Sequence, residues 1–221
     1  LQVQLALGRL LLDDARRLER AGNAEQAAEV YGRIESLANR MIETDPQFSD
    51  GLNLLAITMQ DRRRYAEAND LYRRLIALNS ADWPACNNLA WNLSEAGQYD
   101  EAARYSEQAV ANAPRNASAL VGVVDTQGWI ELKRGNVDRA VELLEQARAY
   151  GPNLTEIRHH LAQAYEQSGR VHDAVNELEQ ILLVDPGYHA AGEVRAALRR
   201  LAPDSARLRE AGEATTETGG A

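Results

Sequence analysis

The sequence predicts an all-α array of stacked helical hairpins, and three observations carry that reading. The first is a period close to 34 residues, marked by a glycine followed five positions later by an alanine at Gly22/Ala27, Gly97/Ala102, Gly135/Ala140 and Gly169/Ala174. A fifth pair, Arg63/Ala68, keeps the spacing without the glycine. The second is a set of breaks at Pro46, Ser80, Pro114, Pro152 and Pro186, separated by 34, 34, 38 and 34 residues. The third is a composition rich in Ala, Leu, Glu and Arg, with only 5% aromatic residues, as helix-forming sequences require. Units this small cannot bury a core alone and must stack on their neighbours, so function is to be sought on a surface.

The elements follow in order. Residues 8–48 form the first unit, carrying Ala15, Leu18, Gly22, Ala27 and Tyr31. The alanine-to-alanine interval leaving it is 41, seven too many, and the surplus falls between Ala27 and Pro46. Seven residues are about two helical turns, so a long second helix is expected over about Ala24 to Thr44. Its apolar Ile34, Leu37, Met41 and Ile42 either cover the end of the array or offer a surface for self-association. Residues 49–82 hold Leu55-Ala56, Ala68 and Tyr72, with Arg62-Arg63-Arg64 expected as a solvated turn, or else as a contact for an acidic partner.

In residues 83–116, Cys86, Leu89, Ala90 and Leu93 form a helical stripe, Gly97 permits the turn, and Asp100 is placed to cap the next helix. Residues 117–154 carry a surplus of four between Pro114 and Gly135, which is one further turn of the first helix. Residues 155–188 are regular. A cap is expected over 189–201, with Ala191, Val194, Leu198 and Leu201 on one face. Residues 1–201 read as a single array, and 202–221, rich in Thr and Gly at its end, as a tail without fixed structure.

Composition narrows the function classes. Net charge is −9 with both signs interspersed, and no sustained basic stripe exists to displace counterions from a nucleic acid. Cys86 is the only cysteine, so no internal disulfide forms, and its place in the apolar stripe points to an inert thiol. No stretch is apolar enough to span a membrane, and Leu1–Leu12, interrupted by Gln2, Gln4 and Arg9, reads as helix and not as a signal sequence. The chain begins with Leu, which suggests a processed or trimmed form from which a targeting or anchoring segment was removed.

Several stretches then align: Leu89-Ala90, Leu93, Gly97, Ala102, Pro114; Gly128, Gly135, Ala140, Leu144, Pro152; and Leu161-Ala162, Tyr165, Gly169, Ala174, Leu178, Pro186. From about Gly8 to Tyr188 this pattern resembles the tetratricopeptide repeat family. The family's early tryptophan is absent, with Leu11, Leu52, Cys86, Val124 and Arg158 in its place. The resemblance implies a right-handed superhelical solenoid of five hairpins with a C-terminal capping helix. It also implies a non-catalytic protein-interaction scaffold whose first helices line a concave groove for a peptide or protein segment.

Carried onto this chain, that register puts Arg9, Leu12, Asp13 and Arg16 in the groove, then Asp50, Asn53, Ile57 and Gln60. Asn87, Asn88 and Trp91 follow, then Asp125, Thr126 and Trp129, and last His159, His160, Gln163 and Glu166. Trp91 and Trp129 occupy equivalent positions in adjacent units and are expected near one another, either as a peptide-binding wall or as rings packed between helices. The family's clamp for a C-terminal carboxylate is not reproduced: only Asn88 matches it.

A finer resemblance links Asn87-Asn88-Leu89-Ala90-Trp91, Asp125-Thr126-Gln127-Gly128-Trp129 and His160-Leu161-Ala162 to bacterial tetratricopeptide proteins of exopolysaccharide export and envelope assembly. It implies a bacterial cytoplasmic or periplasmic setting, with membrane association through a segment outside this chain. A remote alternative is a metal-dependent enzyme, with Glu156, His160 and Asp125 as a ligand set. No metalloprotease helix, nucleophile elbow or phosphate loop accompanies it, and no cofactor is expected.

Overall fold

In a computed structural model, which describes residues 1–206 and Leu208, the chain is built from α-helices with no strand among the described residues. Eleven helices are present among them: α1 (Gln2–Arg20), α2 (Ala24–Thr44), α3 (Ser49–Asp61), α4 (Tyr65–Leu78), α5 (Trp83–Glu95), α6 (Tyr99–Asn112), α7 (Ala117–Lys133), α8 (Val137–Tyr150), α9 (Thr155–Gln167), α10 (Val171–Val184) and α11 (Ala191–Leu201). They fall into two compact units, Leu1–Asn112 and the part from Ala113 onward, where the sequence reads as one array.

In the first unit α1–α2, α3–α4 and α5–α6 pair as hairpins, α2 packs on α3 and α4 on α5, and α1 also touches α3. In the second unit α7–α8 and α9–α10 pair, α8 packs on α9, α7 touches α9, and α11 closes against α10.

Both irregularities of the period are turns of helix. The second helix α2 has 21 residues against 14 in α4, a difference of seven. The first helix α7 has 17 against 13 in α9, a difference of four. Within α2, Ile34, Leu37 and Met41 are buried, so the added turns feed the core of the first unit.

The hairpin turn repeats one geometry. After α5, Gly97 takes φ 75°, its N–H donates to Ser94 O at 2.9 Å, and Gln98 N donates to Leu93 O at 2.9 Å. This double bond satisfies carbonyls that a helix end leaves open. After α3 the same bonds run from Arg63 to Gln60 and from Arg64 to Met59, but with an arginine at φ 58°. A side chain there meets the backbone, at a cost of about 1–2 kcal/mol for an L-residue.

The alanine five residues beyond each turn is what the hairpins close upon: Ala27, Ala68, Ala102, Ala140 and Ala174 are all between 0% and 1% exposed. In the second unit Gly128 adds a further close approach, since a Cβ there would lie 2.7 Å from Leu144 Cγ.

Three details depart from expectation. The arginine turn is not simply solvated: Arg62 and Arg64 both reach back to Glu35 of α2, at 2.6 and 3.0 Å, and tie the second hairpin to the first. Asp100 lies inside α6, which begins at Tyr99, and its charge in the first turn favours the helix dipole. Side-chain caps are made by Asp82 on Ala85 N and Asn116 on Ala119 N, each at 3.0 Å.

The end of the described chain is packed. Ser205 Oγ donates to Glu179 at 2.5 Å, and Leu208 rests on the cluster around Val194 and Leu198. The expected unstructured tail lies mostly in residues 207 and 209–221, outside the described residues.

Cys86 is fully buried, and burial pushes its thiol up to about 11. An ion triad ties α8, α9 and α10 together, with the buried Glu177 held by both Arg148 and Arg158. No helix of the described residues is long and apolar enough to cross a membrane.

Replacing the strained arginine supplies a test. Arg63→Gly is expected to raise unfolding stability by about 0.5–1 kcal/mol in urea titration, although it removes a side chain. Gly97→Ala, at φ 75°, should lower it by a similar amount.

Candidate functional site

In the first unit the face of interest is built by α1, α3 and α5. Two ion pairs cross from α1 to α3: Arg9 to Asp50 at 3.0 Å, and Arg16 to Asp61 through Nε at 2.7 Å and Nη2 at 3.2 Å. Residues expected to meet a ligand there are thus already engaged with each other. Such exposed pairs contribute little stability, about 0–1 kcal/mol, but they fix side-chain positions.

Farther along, Asn53, Asn87, Asn88 and Trp91 are all half-buried. Asn88 Nδ2 donates to the Tyr72 hydroxyl at 3.2 Å, and that hydroxyl donates to Gln60 Oε1 at 2.9 Å. Asn88 therefore braces the α4–α5 packing as well as facing outward. Asn87 differs, because its Oδ1 is shielded and has no hydrogen-bond partner in the structure. An amide oxygen in that state favours a donor brought by water or by a ligand.

In the second unit the expected residues converge. Asp125 and Trp129 lie one turn apart on α7, and His160 projects from α9 between them. His160 Nδ1 stands 3.0 and 3.1 Å from the two Asp125 oxygens, and its ring stacks on Trp129 with centroids 4.4 Å apart. Lys133 Nζ sits 3.9 Å from the indole centroid, so the tryptophan is held between a cation and an imidazole. At 8% exposure Trp129 is a packed ring. Asp125, Thr126 and His160 are buried with it.

His159 is also buried, where the sequence places it in an open groove, because the chain after α10 folds over it. Its Nδ1 lies 3.4 Å from the Tyr188 hydroxyl, and Gln163 Nε2 lies 3.3 Å from its Nε2. Burial, and secondarily the neighbouring His160, lowers the His159 pKa. Tyr188 is shifted up, first by burial and then by the nearby charge of Glu156.

Beside this cluster opens a cleft of about 380 Å³ between α7, α9 and the segment after α10. Val121, Leu154 and Ile157 give it apolar walls, and Asp125, Glu156, Asp185 and Tyr188 supply its polar groups. Of these, Tyr188, Leu154 and Asp185 were not singled out from the sequence. The signal was available: Leu154 and Tyr188 each stand two residues after the proline break that precedes them.

The proposed ligand set of Glu156, His160 and Asp125 does not assemble. Asp125 pairs with His160, and no three His, Cys, Asp or Glu among the described residues are placed to hold a metal ion.

Comparison with known proteins settles the repeat type. Two family models match, both described as tetratricopeptide repeat, over residues 85–111 and 131–201. The chain carries tetratricopeptide repeats.

Among relatives of these repeats, the chain is 27% identical over 175 residues to BBSome complex member BBS4 of Bos taurus, covering 79% of this chain and 31% of that protein. It is 28% identical over 181 residues to the TPR repeat-containing protein YvcD of Bacillus subtilis, covering 70% of this chain and 37% of that protein. The chain thus spans about a third of the length of these curated relatives.

Tetratricopeptide structures share its fold. The thermophilic TPR protein TTC0263 of Thermus thermophilus matches with a TM-score of 0.63 at 22% identity, over 83% of this chain and 98% of that one. PilF of Pseudomonas aeruginosa matches with a TM-score of 0.57 at 19% identity, over 95% and 98%.

The lowered pKa of His159 gives a pH dependence of definite sign. Below the ordinary value of 6.5 the unfolded chain takes up a proton that the folded chain resists, so this residue's contribution is lost as pH falls from 6.5 through its folded pKa. Urea midpoints at about pH 7.5 and about pH 5.5 should therefore fall more for the wild type than for His159→Gln. Equal falls would remove His159 from the account.

Proposed function

We propose that the chain is a non-catalytic scaffold that binds a peptide or protein segment on the first-helix face of its hairpins. Tetratricopeptide arrays are interaction scaffolds as a class, and the fold offers broad helical faces. The observation that carries the finer reading is the row of half-buried polar and aromatic residues on α3 and α5. Asn53, Asn87 and Trp91 are helix residues of low propensity that remain half-buried on this face. Half-buried amides beside an indole supply hydrogen bonding for extended backbone and flat area for a side chain.

The wording of 87–91 and 125–129 favours a bacterial envelope setting, with exopolysaccharide or related assembly as the pathway.

A pull-down from the source cell with full-length chain as bait tests this reading. Trp91→Ala is expected to reduce partner recovery at least tenfold while leaving the helical signal in circular dichroism unchanged. Undiminished recovery would count against binding on the α5 face.

A second reading, self-association, is favoured by Val3, Leu7 and Leu10, which expose 84%, 47% and 68% of their surface on the outer side of α1. The candidate surface moves accordingly, from α2, whose extension is largely buried, to α1. Light scattering over a concentration series should give a rising mass that Leu10→Glu abolishes; a constant monomer mass rejects it.

A further inference from the structure

The cleft in the second unit has a chemistry that the proposed binding face does not by itself specify. Its walls are aliphatic, from Val121 on α7, Leu154 before α9 and Ile157 within it. Leu154 leaves 46% of its surface exposed there, a large apolar side chain open to solvent. Three carboxylates line the same space: Asp125, buried, Asp185, half-buried, and Glu156, exposed at its mouth.

Neutralisation of these acids is incomplete. Asp125 is offset by His160 behind it, while Glu156 has no cationic side chain paired with it among the described residues. No lysine or arginine among the described residues lines the cleft. Negative charge beside apolar walls is poorly solvated, and an incoming cation gains from it more than it would in open water.

We infer that this cleft is a subsite for a lysine or arginine side chain of a bound peptide, with its methylene stem along Val121 and Leu154 and its cationic head between Glu156 and Asp185. The occupant follows from complementarity. A long basic side chain is apolar along its stem and charged at its tip, the same order of surfaces that the cleft presents. An acidic or C-terminal ligand meets like charge here, in keeping with the absence of a carboxylate clamp. The assignment rests on the peptide-binding reading above and adds a selectivity to it.

Gly122 supplies an independent handle. It lies on the cleft wall, is exposed, and a Cβ added there meets nothing within 4 Å. A bulky residue can therefore fill the cleft without disturbing the packing of α7.

The test uses the full chain and three fluorescein-labelled peptides, Gly-Ala-Lys-Leu-Ala-Gly and its Gln and Glu counterparts at the third position, followed by fluorescence anisotropy. The lysine peptide is expected to bind at least tenfold more tightly than the glutamine peptide and to weaken as salt rises. Glu156→Gln combined with Asp185→Asn should remove that preference, and Gly122→Phe should block the lysine peptide while thermal melting stays unchanged.

Equal affinity for the lysine and glutamine peptides, or a preference that survives the double substitution, overturns the assignment. So does failure of all three peptides to bind at millimolar concentration. Binding that is indifferent to these substitutions but lost in Trp91→Ala overturns the cleft while leaving the broader binding reading intact. Self-association abolished by Gly122→Phe would make the occupant a second copy and equally overturn it.

Discussion

Everything in this chain depends on how closely the two helices of a hairpin can approach. At the point of closest contact the second helix presents a methyl group, Ala27, Ala68, Ala102, Ala140 or Ala174, and each is sealed from solvent. Interhelical distance is set by the side chains at the crossing, so a methyl there brings the backbones near and buries the larger neighbours on either side. Tyr31 and Tyr72 lie four residues further on and are themselves buried, each hydroxyl returning to its partner helix through Glu19 or Gln60. The turn, the short connections and the stacking order all follow from that approach.

This constraint is written locally, which is why the fold was legible. A glycine at positive φ and an alanine five residues later are fixed by one hairpin's own geometry, and they recur wherever a hairpin recurs. Even the lapses were informative: a surplus of seven or four residues could be placed on α2 and α7, because only whole turns preserve an apolar face.

The candidate site was legible to a smaller degree, because it depends on contacts between hairpins. Asp125, Trp129 and His160 were named from register, yet register says only which face a residue occupies. Whether that face is open depends on what the following segment does. The segment from Asp185 to Ala190 settles over His159 and brings in Tyr188, and no periodic argument specifies that covering. The same limit hid the engagement of Arg62 and Arg64, whose partner Glu35 is 27 and 29 residues away in the preceding hairpin.

The Glu177 triad has a consequence for how the second unit comes apart. Arrays of stacked repeats unfold as weakly joined segments when their interfaces are poor, since each unit contacts only its neighbours. Here one buried carboxylate on α10 is shared by guanidinium groups on α8 and α9, so it belongs to both hairpins. Detaching α10 alone gives up both contacts, and detaching the last hairpin whole gives up the one to Arg148, so each way of fraying from the C-terminal end loses a charge-assisted contact.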